Sequence, residues 1–224
     1  ASGVGDIDGD GDNDIISTSY SSASSTGRWF MILKNDGNGN FESTYKETQF
    51  DSAQGHLVVH DVTGDGLGDV LLGLKTLPSS GSYDYNLALI KGAPAGDFEV
   101  DLSDIIVLDK VHPKLMVRNV YVKDINGDGS EEIIAYYTGG YGENNQGVAD
   151  NEIPNQVKIY EIVDESQGYV NDITSSFFIN NEDQMNFYAQ SAFLRLQDID
   201  LDGHLDLVPS FRLEPYEDYP DNAY

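Results

Sequence analysis

Four short segments of this chain repeat one pattern of oxygen-bearing side chains. They are Asp6 to Asp14 (DIDGDGDND), Asp61 to Asp69 (DVTGDGLGD), Asp124 to Glu132 (DINGDGSEE) and Asp198 to Asp206 (DIDLDGHLD). Oxygen donors stand at positions 1, 3, 5 and 9 of each segment, with glycine at position 6. That spacing suits the wrapping of a hard cation. Alternate side chains turn inward, glycine permits the sharp bend, and a main-chain carbonyl at position 7 adds a further ligand. The candidate ligands of the first loop are Asp6, Asp8, Asp10 and Asp14, with Asp12 at position 7. Those of the second are Asp61, Thr63, Asp65 and Asp69, with Leu67 at position 7. The third offers Asp124, Asn126, Asp128 and Glu132 with Ser130, and the fourth Asp198, Asp200, Asp202 and Asp206 with His204. Many flexible oxygens favour calcium over the smaller magnesium ion, so about four structural calcium ions are expected.

Loops one and four carry four carboxylates among these ligands, whereas Thr63 and Asn126 replace one carboxylate in loops two and three. Fewer charged ligands mean weaker binding, so loops one and four rank as tightest and loop two as weakest. An EF-hand is excluded on paper. It needs a bidentate Glu at position 12 and flanking helices, but position 12 here is Ser17, Leu72, Ala135 or Pro209. The flanks Leu57-Val58-Val59, Val70-Leu71-Leu72 and Ile133 to Tyr137 are short runs of β-formers, so each loop joins two strands. A metal-free acidic turn would explain one such loop, but it explains four in the same register poorly.

The elements that must hold these loops follow from the rest of the chain. Its 224 residues suffice for a substantial core. The formal charge of −27 argues against nucleic acid and anionic membranes as partners. Calcium in the loops would offset part of that charge. The chain has no cysteine, so metal sites would take over the stapling that disulfides give elsewhere. Weak oxygen-ligand sites that fill at ~0.1–1 mM calcium fit an extracellular or cell-surface setting. The opening residues do not read as a signal peptide, and no apolar run suggests membrane insertion. A metal loop only five residues after Ala1 reads as a processed or partial chain.

Successive loops start 55, 63 and 74 residues apart, a period that marks an array of small β units. In each unit a strand enters the loop, a second leaves it, a third follows a polar connection and a weaker fourth precedes the next loop. In the first unit Ile15-Ile16 leaves the loop, Ser17 to Thr26 reads as an exposed Ser/Thr-rich loop, and Arg28 to Lys34 is the third strand. Asn35 to Asn40 is a tight turn of residues that accept positive φ. Almost no strand precedes the first loop. The second unit has Val70 to Lys75 and Asn86 to Lys91, and the third has Val117 to Lys123 and Gln156 to Val163. Gly139 to Pro154 is a long polar insertion of a kind often given to function. The fourth unit has Ala192 to Gln197 and Leu207 to Leu213, with no further strand.

The loops with their flanks, GDIDGDGDNDII and LQDIDLDGHLDLV, and the turn NDGNGNF resemble FG-GAP and VCBS-type repeats. These are the blades of integrin-α-like β-propellers. The resemblance implies an all-β fold of four-stranded antiparallel blades with calcium in the loops. It divides residues 1–224, a single propeller region, near 1–52, 53–115, 116–188 and 189–224, the first and last units being partial. It also implies a secreted or cell-surface, non-catalytic module that recognises glycans or extracellular proteins in adhesion. Typical members close a ring of about seven blades; this chain has fewer units, which implies a longer full chain, an unusually small propeller, or open sheet edges that pair with another chain in an oligomer or fibre. Some family propellers are polysaccharide lyases, which leaves an enzyme as a further alternative.

Outside the loops the signals are weaker. His56, His60, His112 and His204 stand in no nucleophile or zinc pattern. Tyrosines cluster at 83–85, 136–141 and 216–219, and exposed aromatics stack on sugars or anchor protein partners. Tyr136 and Tyr137 fall on opposite faces of a strand, so one of them is expected in the core. Tyr141, beside the insertion, is the candidate ligand-binding residue. Trp29, among alternating apolar neighbours, reads as core.

Overall fold

A computed structural model describes residues 2–20, 28–47, 51–76, 84–94, 105–110, 115–139, 156–177 and 193–210. The fold is all-β and β-propeller-like, built of antiparallel sheets. The first sheet contains β1 (Ser2–Gly5), β2 (Asp14–Tyr20), β3 (Arg28–Asn35) and β4 (Phe41–Glu47) in that spatial order. The second contains β5 (Asp51–His60), β6 (Asp69–Thr76), β7 (Asp84–Ile90) and β8 (Ile106–Lys110). The third contains β9 (Leu115–Lys123), β10 (Glu132–Gly139), β11 (Gln156–Ile162) and β12 (Val170–Asp172). Among the described residues the fourth sheet has two strands, β13 (Phe193–Gln197) and β14 (Asp206–Ser210).

Each sheet is a blade in which neighbouring strands follow one another along the chain. The core lies between blades rather than inside one. Ile7, Ile16, Phe30 and Ile32 of blade one pack on Leu57, Val70, Leu72 and Leu74 of blade two. Val62, Leu71, Leu87 and Leu89 of blade two pack on Val117, Val122, Ile133 and Tyr137 of blade three. Ile125, Ile134, Tyr136 and Ile159 of blade three meet Leu194 of blade four. Burying an aliphatic side chain of this size contributes about 1.5–3 kcal/mol, so stacking the blades is the main source of stability. A middle blade is covered on both faces, which is why its strands are apolar runs without alternation. Val70, Leu71 and Leu72 are all buried.

That two-sided burial corrects one expectation. Tyr136 and Tyr137 do face opposite sides of β10, but both are buried, because neighbouring blades cover both faces. A second correction concerns the start of the chain. Ser2–Gly5 is a strand, paired with β2 from Ser2↔Ser17 to Gly5↔Asp14, so the first unit has four strands. Its weak β-formers hide it in sequence. Packing explains its glycines: a Cβ on Gly3 would lie 2.5 Å from Leu57 Cδ2, and one on Gly5 2.5 Å from Val59 Cγ1. The innermost strands β1 and β5 thus approach closely only because β1 lacks side chains there. Thirdly, Ser17 to Tyr20 belongs to β2 rather than to a loop, with Thr18 buried opposite Phe30. Cross-strand pairing with the apolar β3 overrides the weak propensity of that polar run.

Candidate metal centre

All four acidic loops are connections between the first and second strands of a blade, and they share one hydrogen-bonding plan. The acid at position 1 accepts main-chain N–H groups. Asp6 takes those of Gly9 (2.7 Å) and Gly11 (2.9 Å), Asp61 those of Gly64 and Gly66 (2.7 and 2.9 Å), and Asp124 those of Gly127 and Gly129 (2.7 and 2.9 Å). The acid at position 9 accepts the N–H of position 2. The pairs are Ile7 to Asp14 (3.2 Å), Val62 to Asp69 (2.9 Å), Ile125 to Glu132 (3.0 Å) and Ile199 to Asp206 (2.9 Å). The acid at position 5 accepts the N–H of position 7 throughout: Asp12 to Asp10, Leu67 to Asp65, Ser130 to Asp128 and His204 to Asp202. Glycines at position 6 of all four loops, and at position 4 of loops one to three, supply the positive φ that aims these N–H groups inward.

Carboxylates converge in two loops. Oxygens of Asp6, Asp8 and Asp14 lie within 4.8 Å of one another, and so do those of Asp198, Asp200 and Asp206. These are the two loops ranked tightest from sequence. Asp10 and Asp202 stand outside the two clusters. In loop one Lys34 Nζ reaches Asp8 Oδ2 at 3.2 Å, so an ammonium partly balances that cluster. In loop four, Asp198 Oδ1 is buried and accepts no hydrogen bond. In loops one to three the N–H of position 4, a glycine, donates to the equivalent oxygen; in loop four position 4 is Leu201 and that bond is not made. A buried carboxylate oxygen without a donor is costly unless a cation meets it. Asp6, Asp8 and Asp14, and Asp198, Asp200 and Asp206, therefore fit a divalent ion of the oxygen-seeking class.

Burial shapes the acids at position 9. Asp14, Asp69 and Glu132 are buried, and burial raises the pKa of each, against the lowering effect of the N–H groups they accept. The third strand adds one such donor in blade one, Asn35 N–H to Asp14 (2.9 Å), and in blade two the segment after it does, Gly92 N–H to Asp69 (2.9 Å).

Loops also touch their neighbours, which sequence spacing did not reveal. Between loops one and two and between loops three and four, the side chain at position 7 of the later loop lies over the glycine at position 4 of the earlier one. A Cβ on Gly9 would come 2.6 Å from Leu67 Cδ2, and one on Gly127 2.7 Å from His204 Cε1. Gly68 N–H also donates to the Asp6 carbonyl (2.6 Å), and His60 Nε2 lies 2.9 Å from Glu131 Oε2. Leu67 and His204 stand at position 7, where the carbonyl is the candidate ligand, yet their side chains link successive loops. His60 does the same through Glu131. Tyr141 and residues 140–155, His112, Tyr83, Tyr216 and Tyr219 lie outside the described residues, as do the side chains of Trp29, His56 and Tyr85.

Leu201 yields a direct prediction. It adopts φ 63°, a left-handed conformation that costs a side-chain-bearing residue about 1–2 kcal/mol. Leu201→Gly should raise stability by roughly 1 kcal/mol and supply position 4 with the residue found in the other loops. A melting temperature at or below that of the parent would contradict this account.

A search of curated proteins finds no match to the chain. The FG-GAP-like repeat family matches residues 6–72, from the first acid of loop one into β6. That span contains two of the four loops and the joint between blades one and two, and the same loop plan and blade topology recur beyond it. Residues 6–72 accordingly carry an FG-GAP-like repeat, which supports an FG-GAP-type repeat protein.

Proposed function

We propose that this protein is a calcium-stabilised, non-catalytic recognition module that works outside the cell and binds a glycan or an extracellular protein. The observation that carries the calcium part is the convergence of carboxylates in loops one and four, with a donorless Asp198 oxygen in the latter. FG-GAP repeats often bind calcium, are typically extracellular and are generally non-catalytic, which supports the same reading. Among the described residues no helix is long and apolar enough to cross a membrane. The ions' role is structural. Each would tie together the hairpin of the two innermost strands and remove the repulsion among its acids.

Blade topology separates this metal end from a second end. In an antiparallel blade, the connection from second to third strand lies opposite the connection from first to second. The strand ends Tyr20 and Arg28, Thr76 and Asp84, and Gly139 and Gln156 are therefore remote from the metal loops. The segments joining them, including Tyr141, would form the ligand surface. Binding to a broad glycan panel in millimolar calcium, repeated with chelator, tests this. Calcium-dependent binding that is lost in Tyr141→Ala is expected. A folded, calcium-loaded sample that binds no glycan and captures no extracellular protein would refute the reading.

The ranking of the loops is tested separately. Asp200→Ala removes a carboxylate from a converged cluster and should lower stability in calcium by about 1–2 kcal/mol more than Thr63→Ala. Equal effects in thermal melts would refute it.

A further inference from the structure

We infer that Asn38 is a modification site of this protein: its side-chain amide is lost spontaneously in the folded chain, while the same reaction at Asn126 is blocked. The inference goes beyond ligand recognition and calcium binding. It rests on two copies of one dipeptide held in different surroundings. Asn-Gly occurs twice in the sequence, at Asn38-Gly39 in the turn between β3 and β4 and at Asn126-Gly127 in loop three. Asparagine is most labile before glycine, which has no Cβ to hinder attack by its own nitrogen.

The reaction needs only water. The glycine main-chain nitrogen attacks Cγ of the preceding asparagine and closes a succinimide ring. The Cγ–Nδ2 bond breaks, and ammonia leaves with the proton taken from that nitrogen. Water then opens the ring at either carbonyl, giving aspartate or isoaspartate. An N–H already held by an acceptor is not free to move onto Cγ. An amide held by hydrogen bonds is not free to turn Cγ toward the nitrogen.

Loop three holds both partners. Gly127 N–H donates to Asp124 Oδ1 at 2.7 Å. Asn126 Oδ1 accepts the Asp128 N–H at 2.8 Å, and its Nδ2 donates to Asp128 Oδ2 at 3.0 Å and to Glu132 Oε1 at 3.3 Å. Blade four adds a cover, because the His204 ring lies over Gly127. The β3–β4 turn does the opposite. Asp36 Oδ1 accepts the N–H of Asn38 at 2.9 Å and that of Asn40 at 3.1 Å, the residues on either side of Gly39. Among the described residues the Gly39 N–H meets no acceptor, and a Cβ built on Gly39 would have no atom within 4 Å. Asn38 is exposed, and its amide is held through Nδ2 by the Asp36 carbonyl at 3.0 Å.

The product places a new carboxylate at the loop end of blade one. Asp36 is two residues away, and Asp12 of loop one lies against Gly37 of the same turn. Isoaspartate also lengthens the main chain, which opposes the bond from Asp36 N–H to the Asn40 carbonyl (3.1 Å) that closes the turn. Deamidation thus marks aged molecules beside loop one and spares Asn126, a candidate ligand of loop three.

The test incubates the full chain in millimolar calcium at mildly alkaline pH, with a parallel sample unfolded in denaturant, and follows both sites by peptide mass spectrometry. In the folded chain Asn38 should lose its amide at least roughly tenfold faster than Asn126, since a locked site reacts only when its loop opens. In denaturant the two sites should react at similar rates. Asn38→Gln, whose longer side chain closes a ring far more slowly, should keep its amide and the melting temperature of the parent. Three results would each overturn the inference. One is a folded chain whose Asn38 stays intact while the unfolded sample reacts at both sites. Another is an Asn126 that reacts as fast as Asn38 in the folded chain. The third is a difference between the sites that persists in denaturant, which would place its cause in the sequence rather than the fold.

Discussion

Removing calcium should lower the melting temperature of this protein by roughly 10 °C or more. The magnitude follows from linkage. A site with a Kd near 0.1 mM contributes about 2.7 kcal/mol at a hundredfold excess of free ion. Two such sites, loops one and four, contribute about 5 kcal/mol. For a chain of this length each kcal/mol shifts the melt by ~2–4 °C. The apo protein also keeps its clustered acids unneutralised, Asp6, Asp8 and Asp14 in one loop and Asp198, Asp200 and Asp206 in another. A pH series in chelator extends the test. Burial raises the pKa of Asp14, Asp69 and Glu132 in the folded state. Between the ordinary carboxylate value and the raised one, the folded chain holds protons that the unfolded chain has released. Stability therefore falls as pH rises through that interval and stays low above it. In calcium this trend should weaken, since the ion takes the place of the proton. A melt unmoved by excess EGTA would sink the metal assignment.

Asp109→Ala should cost about 2–4 kcal/mol, the largest effect expected from a substitution away from the loops. Asp109 sits at the outer strand of blade two and reaches into blade three. Its Oδ2 accepts from Lys158 Nζ at 2.6 Å and from Tyr160 Oη at 2.7 Å, with Tyr137 Oη at 3.5 Å. The two tyrosine hydroxyls are 2.8 Å apart. Burial first, with the neighbouring carboxylate adding to it, pushes the pKa of both tyrosines up, so they stay protonated and serve as donors. Removing the acceptor leaves Lys158 and Tyr160 without their main partner at a closed joint. Asp109→Asn keeps an acceptor oxygen but loses the charge, so it should cost roughly half as much. Denaturant unfolding measures both. A loss below ~0.5 kcal/mol for Asp109→Ala would mean that the network adds little to the joint between the blades.

The carboxylate pattern and the β character of its flanks were legible in the sequence because both are local. Ligand spacing within nine residues depends only on the loop's own bond geometry, and the apolar runs after loops two and three announce strands directly. Strand order within the blades followed, since consecutive antiparallel neighbours need only short connections. The first strand was not legible. Ser2-Gly3-Val4-Gly5 has little intrinsic preference for a strand, and its glycines make sense only against Leu57 and Val59 of the next blade.

What the sequence by itself determined was the unit: a strand, an acidic loop with oxygen donors at regular spacing, and three further strands. Only the tertiary structure decided how the units act on one another. It buried both Tyr136 and Tyr137, because a blade between two others has no solvent face. It set the His204 ring on Gly127 of the preceding loop and tied Asp109 to Tyr160 across a joint. It also separated buried Ile7 from exposed Ile199, two residues at the same position of the same motif. Their loops are alike in sequence. Among the described residues they differ in having, or lacking, a neighbouring blade, and burial is a property of that neighbour rather than of the residue.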